Sequence, residues 1–173
     1  MTDTRSRTKK IALSGILTAL VFVVTYLIKI PIPSTEGYVN PGDSVILISA
    51  FILGPYAAIP AAIGSALSDL LAGYAVYILP TFIIKGLVGL VAGLILKHGA
   101  GESVSFGRRL VAFTVAELIM VGGYFAFESM PFMYGVAAAL VSVPFNLIQG
   151  LAGMLMAFPV SYVKVIGARK QYS

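Results

Sequence analysis

The sequence predicts an all-α integral membrane protein with six transmembrane helices and both termini in the cytoplasm. Three observations carry that prediction. The chain has 173 residues, of which 58% are hydrophobic and only 11% charged. Its mean hydropathy is +0.95, far from the balance of a soluble domain. Several apolar runs reach the roughly 20 residues that a helix needs to cross a bilayer. The cations, finally, gather in segments that six crossings would place on one side.

In chain order, residues 11–29 form the first run, behind a basic start. The run is too long for a signal-peptide core and lacks a small-residue cleavage pattern, so no cleavable leader is expected. Residues 44–73 are ambiguous, because Gly54-Pro55 interrupts them; they read either as one kinked helix or as two, 44–54 and 56–73. Residues 78–96, 109–127 and 136–161 supply the remaining spans. Charge resolves the ambiguity. With two crossings in 44–73, the cytoplasmic segments hold Arg5, Arg7, Lys9, Lys10, Lys97, Arg108, Arg109, Lys164, Arg169 and Lys170, ten of the 12 Lys and Arg. With one crossing, the last six of these fall outside, against the positive-inside rule.

A helix over 44–54 rises only about 16 Å at 1.5 Å per residue. The preceding segment, 31–43, is therefore expected to dip into the protein from the outer side, where cover from protein or a cavity is needed for irregular backbone. Asn40-Pro41-Gly42-Asp43 supplies turn residues there, and Asp43 or Ser44 is suited to cap the helix that follows.

Several chemistries are excluded or disfavoured. There is no cysteine, hence no disulfide, thiolate nucleophile or thiolate metal site. His98, beside Lys97 at the end of an apolar run, reads as an interfacial residue. The net charge of +5 is accounted for by membrane topology, with no need for nucleic acid. HExxH, GxSxG and GxxxxGK[ST] patterns are missing, so no catalytic residue, metal site or ATP hydrolysis is expected in this chain. The inverted-repeat pattern of many secondary transporters is missing too.

Two kinds of position remain. Small residues recur at helical spacing: Ala12, Gly15 and Ala19 in the first span, Ala61, Ser65 and Ala72 in the third, Gly86, Gly89 and Gly93 in the fourth. Small faces let helix backbones approach closely in lipid. Internal packing suits the third and fourth spans, whereas the stripe of the first span is free for a partner membrane helix.

The other kind is polar. Lys85 and Glu117 each interrupt an apolar run, and an ionisable group at a helix centre costs about 2.5–3.5 kcal/mol on insertion scales, so such groups face a protein interior. Glu117, Tyr124 and Glu128 share one face of the fifth span, and Asn146 and Gln149 one face of the sixth. With Asn40, Asp69 and Lys85 they suggest a cup open to the outside, walled by aromatic residues such as Phe125, Phe132, Tyr134 and Phe145. A small, flat, polar heteroaromatic molecule suits such a cup. Asp69 and Lys85 have a second reading, as a buried structural pair. A self-sufficient carrier or channel, with Asp69, Lys85 and Glu117 relaying protons, is the rival function. An intramembrane enzyme and a ligand-free assembly subunit are weaker ones.

The layout resembles the substrate-binding S components of energy-coupling-factor (ECF) vitamin transporters. The resemblance covers essentially the whole chain. It rests on the small stripe of the first span, on YVNPGDSVILISAFILGP with its short second span, on SALSDLLAGY and on PTFIIKGLVGLVAG. It implies a six-span protein of a prokaryotic plasma membrane that captures a vitamin from outside. The partners it implies are a membrane coupling (T) subunit, to which Ala12, Gly15 and Ala19 would dock, and two ATPase (A) subunits that consume the ATP, with no cofactor in this chain. It casts Asn40, Lys85, Glu117, Tyr124, Asn146 and Gln149 as substrate-binding residues. The absence of tryptophan disfavours thiamin itself. The sequence looks closer to the subgroup for hydroxymethylpyrimidine, a thiamin precursor, with pyridoxine-type compounds next and riboflavin as a further alternative.

Overall fold

The computed structural model describes residues 2–97 and 104–163. His98, Lys164, Arg169 and Lys170 lie outside the described residues. The protein is helical almost throughout. Helix α1 (Thr2–Leu27) is followed by a small antiparallel hairpin, β1 (Ile30–Pro31) and β2 (Tyr38–Val39), with Ile30 opposite Val39 and Pro31 opposite Tyr38. Among the described residues, five apolar stretches are long enough to cross a membrane: 7–27, 42–72, 75–96, 106–128 and 135–160.

The second of these stretches bends back on itself. It comprises α2 (Gly42–Leu53), a 3-10 turn (Gly54–Ala57) and α3 (Ala58–Ala72). The reversal falls at Gly54, whose φ of +60° lies in a region that residues with a Cβ rarely adopt. Pro55, next in the chain, has no N–H with which to continue the ladder. Helix α4 (Ile78–Leu96) records the direction of both arms. Lys85 meets Asp43 at the start of α2, Gly93 abuts Gly54 at its end, and Gly89 and Gly86 abut Ala57 and Ala62. Thus α2 runs parallel to α4 and α3 runs antiparallel to it. The crossing is tight: a Cβ on Gly93 would stand 2.1 Å from the Gly54 carbonyl oxygen, so only hydrogen fits there.

Helix α2 is the centre of the molecule. Ile46, Leu47 and Ala50 are fully buried among α1, α4 and α6. Helix α1 packs on α3 where Gly64 lies against the Thr18 carbonyl and Val21. Helix α5 (Phe106–Glu128) starts at Ser105, whose hydroxyl accepts the Arg108 N–H. Helix α6 (Gly135–Val160) closes the bundle against α2 and α5. At the end of the bundle where α5 begins, Arg109 is buried, with its guanidinium bonded to the carbonyls of Val104 and Ser161 and stacked on Phe51 and Tyr162 at 4.7 and 4.0 Å. That one side chain ties α5 to α2 and to the end of α6.

The outward faces are apolar, with Ile11 and Ile16 on α1, Leu79 and Ile83 on α4, Leu118 on α5 and Leu151 and Leu155 on α6 exposed. Exposed apolar surface on this scale calls for lipid rather than water.

Candidate functional site

The polar interior gathers on one side of this bundle, beneath the hairpin. Residues of α3 (Ser65, Asp69), α4 (Thr81, Lys85), α5 (Tyr124, Glu128) and α6 (Asn146, Gln149) line a single cavity, roofed by Ile32, Gly37, Tyr38 and Asn40 and flanked by Thr25 and Tyr77. Helical spacing places them there. Ser65 and Asp69, Thr81 and Lys85, and Tyr124 and Glu128 are pairs at i and i+4, and each pair presents one face. The space counted out to the mouth is about 390 Å³, yet only about 20 Å³ is open to the centre of a water molecule. That is room for about one ordered water.

Hydrogen bonds hold the roof down. The Tyr38 hydroxyl donates to Asp69 Oδ1 at 2.6 Å, the Asn40 N–H to Gln149 Oε1 at 2.7 Å, and the Ser34 hydroxyl to the Ala138 carbonyl at 3.1 Å. Burial, and then the charge of Asp69, push the Tyr38 phenol well above its ordinary range, so it stays protonated as the donor of that bond. Ile32 and Val39 are buried as apolar plugs of the same segment.

The floor is an ion pair. Lys85 Nζ donates to Asp43 Oδ1 at 2.6 Å, and Gln149 Nε2 donates to Asp43 Oδ2 at the same distance. Asp43 has no exposed surface. Two expectations are corrected here. The partner of Lys85 is Asp43 rather than Asp69, because α2 starts between α4 and α6 and brings its first carboxylate within reach of both. Nor does Asp43 cap α2: the Asn40 carboxamide oxygen accepts the Gly42 N–H at 2.8 Å, an Asx turn that frees Asp43 to point inward. At the far wall both oxygens of Glu128 are engaged, accepting from the Tyr77 and Ser142 hydroxyls.

Of the substrate-binding residues expected from the sequence, Asn40, Lys85, Tyr124, Asn146 and Gln149 line this cavity together. Glu117 does not. It is buried behind the floor against Gly150, and neither of its carboxylate oxygens has a hydrogen-bond partner among the described residues. The aromatic walls differ as well. Tyr38, Tyr77 and Tyr124 supply them, while Phe132 is 79% exposed in the turn after α5. Tyr38, Tyr77 and Thr81 were not singled out beforehand, and Asp43 was read only as a helix cap. The spacing Tyr77, Thr81, Lys85 was the available signal for two of them, since it continues the face of Lys85 toward the start of α4. Ala12, Gly15 and Ala19 lie exposed along α1, and a Cβ on Gly15 would meet nothing within 4 Å.

The family model described as the ECF-type riboflavin transporter, S component, matches residues 5–165. The chain belongs to this family. It is thereby a substrate-binding component of a vitamin-type transporter, a multi-pass membrane protein and not an enzyme. Among relatives of this S component, a protein of Lactococcus lactis subsp. cremoris named as the thiamine precursor transporter HmpT is 33% identical over 151 residues. That alignment spans 86% of this chain and 83% of the relative. An uncharacterized protein of Pyrococcus woesei is 31% identical over 144 residues, 83% of this chain and 93% of its own length.

Proposed function

We propose that this S component captures hydroxymethylpyrimidine from outside the cell and delivers it inward through an ATP-driven ECF complex. The observation that carries the reading is the lining of the cavity: amide, carboxylate and hydroxyl groups converge among three tyrosines, a set matched to a small, flat ring with nitrogen and hydroxymethyl groups. The likeness to a thiamine precursor transporter supports the same choice over pyridoxine-type compounds, and the riboflavin description of the family keeps riboflavin as the second reading.

Binding requires the roof to open, since about one water is all the closed cavity accepts. Substrate then enters between the hairpin and α6, and the Tyr38 and Asn40 bonds re-form over it, excluding water and strengthening each polar contact. Six crossings with both termini in the cytoplasm fit the reversal at Gly54. The exposed stripe Ala12, Gly15, Ala19 is the docking face for a T subunit, with two A subunits hydrolysing the ATP. This chain needs no cofactor of its own.

The test is isothermal titration calorimetry on the purified protein in detergent, with hydroxymethylpyrimidine, pyridoxine, pyridoxamine and riboflavin in turn and Asn146→Ala as control. Tight binding of the pyrimidine alone, weakened in the variant, is expected. Tight binding of riboflavin alone would replace this reading with the second. Transport by the protein reconstituted without partners would favour a self-sufficient carrier instead.

A further inference from the structure

The internal bonding of the cavity leaves one buried charged group half open. Lys85 is committed to Asp43. Glu128 accepts from Tyr77 and Ser142. The Gln149 carboxamide is spanned between the Asn40 N–H and Asp43. Asp69 differs. It is 2% exposed and lines the cavity. Its Oδ1 accepts the Tyr38 hydroxyl at 2.6 Å, but its Oδ2 has no hydrogen-bond partner among the described residues; the Thr81 hydroxyl faces this carboxylate and stands 3.1 Å from the Tyr124 hydroxyl. A buried acceptor without a donor carries a penalty of about 1–3 kcal/mol, more when charged, which a ligand donor would remove.

We propose that Asp69 is the specificity-determining acceptor of this site, its Oδ2 taking an amino N–H of a heteroaromatic ring that carries the amino group beside a ring nitrogen. The proposal rests on the single-ring reading above and deepens it. A carboxylate accepts and never donates, so what meets Oδ2 must be a donor. The charges around it select further. Three carboxyl groups, those of Asp43, Asp69 and Glu128, stand here against Lys85, which Asp43 engages, and Lys29, whose ammonium is 5.8 Å from the Tyr38 ring and acts on Asp69; around Asp69 the surplus of acceptors favours N–H donors over carboxylates and phosphates. An aminopyrimidine edge satisfies it. The corresponding edge of a flavin offers one N–H set between two carbonyl oxygens, whose lone pairs crowd a carboxylate placed there, and it fits less well.

Tyr38 acts at one remove. Its hydroxyl fixes the Asp69 carboxylate from the roof, so closing the hairpin and aiming Oδ2 at the ligand are one event. Asn146, on the same cavity, offers an amide that can both donate and accept toward the ring nitrogens.

Calorimetry on the full-length protein in detergent tests this with hydroxymethylpyrimidine, its analogue carrying oxygen in place of the amino group, and riboflavin. A site built around a substrate N–H rejects the analogue lacking it strongly, and the wild type is expected to prefer the amino compound by at least about 100-fold. Asp69→Asn keeps an oxygen for Tyr38 and adds a donor of its own. It is expected to weaken the amino compound by about 100-fold and leave the oxo analogue equal or tighter. Equal binding of the two pyrimidines by the wild type would overturn the assignment without any variant, and so would undiminished amino-compound binding by a folded Asp69→Asn. Those two results leave the single-ring reading standing. Riboflavin binding with neither pyrimidine bound would overturn the single-ring reading, and the Asp69 assignment with it.

Discussion

Replacing Lys85 by methionine is the sharpest test of how this interior is held together. The substitution keeps the length of the apolar stem and removes the ammonium, leaving the Asp43 carboxylate with no exposed surface and Gln149 Nε2 as its remaining side-chain donor. Breaking a buried pair by removing one partner costs about 3–5 kcal/mol, because a charge is left uncompensated. At about 2–4 °C per kcal/mol for a chain of this size, the melting temperature in detergent should fall by roughly 6–20 °C. The companion variants make the argument specific. Asp43→Asn alone strands the lysine and should be destabilising to a similar degree, whereas Lys85→Met with Asp43→Asn removes both charges and should recover most of the loss. Fluorescence-detected thermal unfolding of the four proteins closes the cycle. A loss below about 1 kcal/mol for Lys85→Met, or a double variant no better than the worse single one, would refute the view that Lys85 is held chiefly by Asp43.

Other perturbations separate packing, roof and docking. Gly93→Ala places a methyl 2.1 Å from the Gly54 carbonyl oxygen; α4 must move away from the α2–α3 reversal, at a cost of at least about 1–3 kcal/mol visible in the same melts. Gly15→Ala meets nothing and should leave the isolated protein equal or up to about 1 kcal/mol more stable. Gly15→Leu with Ala19→Leu should spare ligand binding and abolish uptake by the assembled complex; uptake that survives would sink the docking role of α1. Gln149→Leu removes the acceptor of the Asn40 N–H and a donor to Asp43. Stopped-flow binding should then show dissociation faster by about 10-fold or more, from a loss of about 1.5 kcal/mol or above.

Much of this molecule was legible before any coordinate. Apolar run length is a one-dimensional property, and in lipid the backbone has no option but helix across each run, so the long helices were determined locally. Gly54-Pro55 announced the break in 42–72 because one residue supplies a positive φ and the other lacks a donor. The face of Lys85 and the pair Asn146 and Gln149 were readable from helical spacing alone. What the sequence could not decide was which polar groups meet. Asp43 looked like a cap, since a carboxylate at a helix start is ordinarily worth that reading; only the wedging of α2 between α4 and α6 brought Lys85 and Gln149 to it, 42 and 106 positions away. Asp69 lost its expected partner for the same reason and gained Tyr38 from the roof. Glu117, the residue whose depth marked it most clearly, was turned behind the floor by the rotation of α5 against Gly150 of α6. Periodicity fixes which side chains share a face of one helix. The rotation of that helix against its neighbours is set by small-residue contacts distant in sequence, and that rotation chose the cavity.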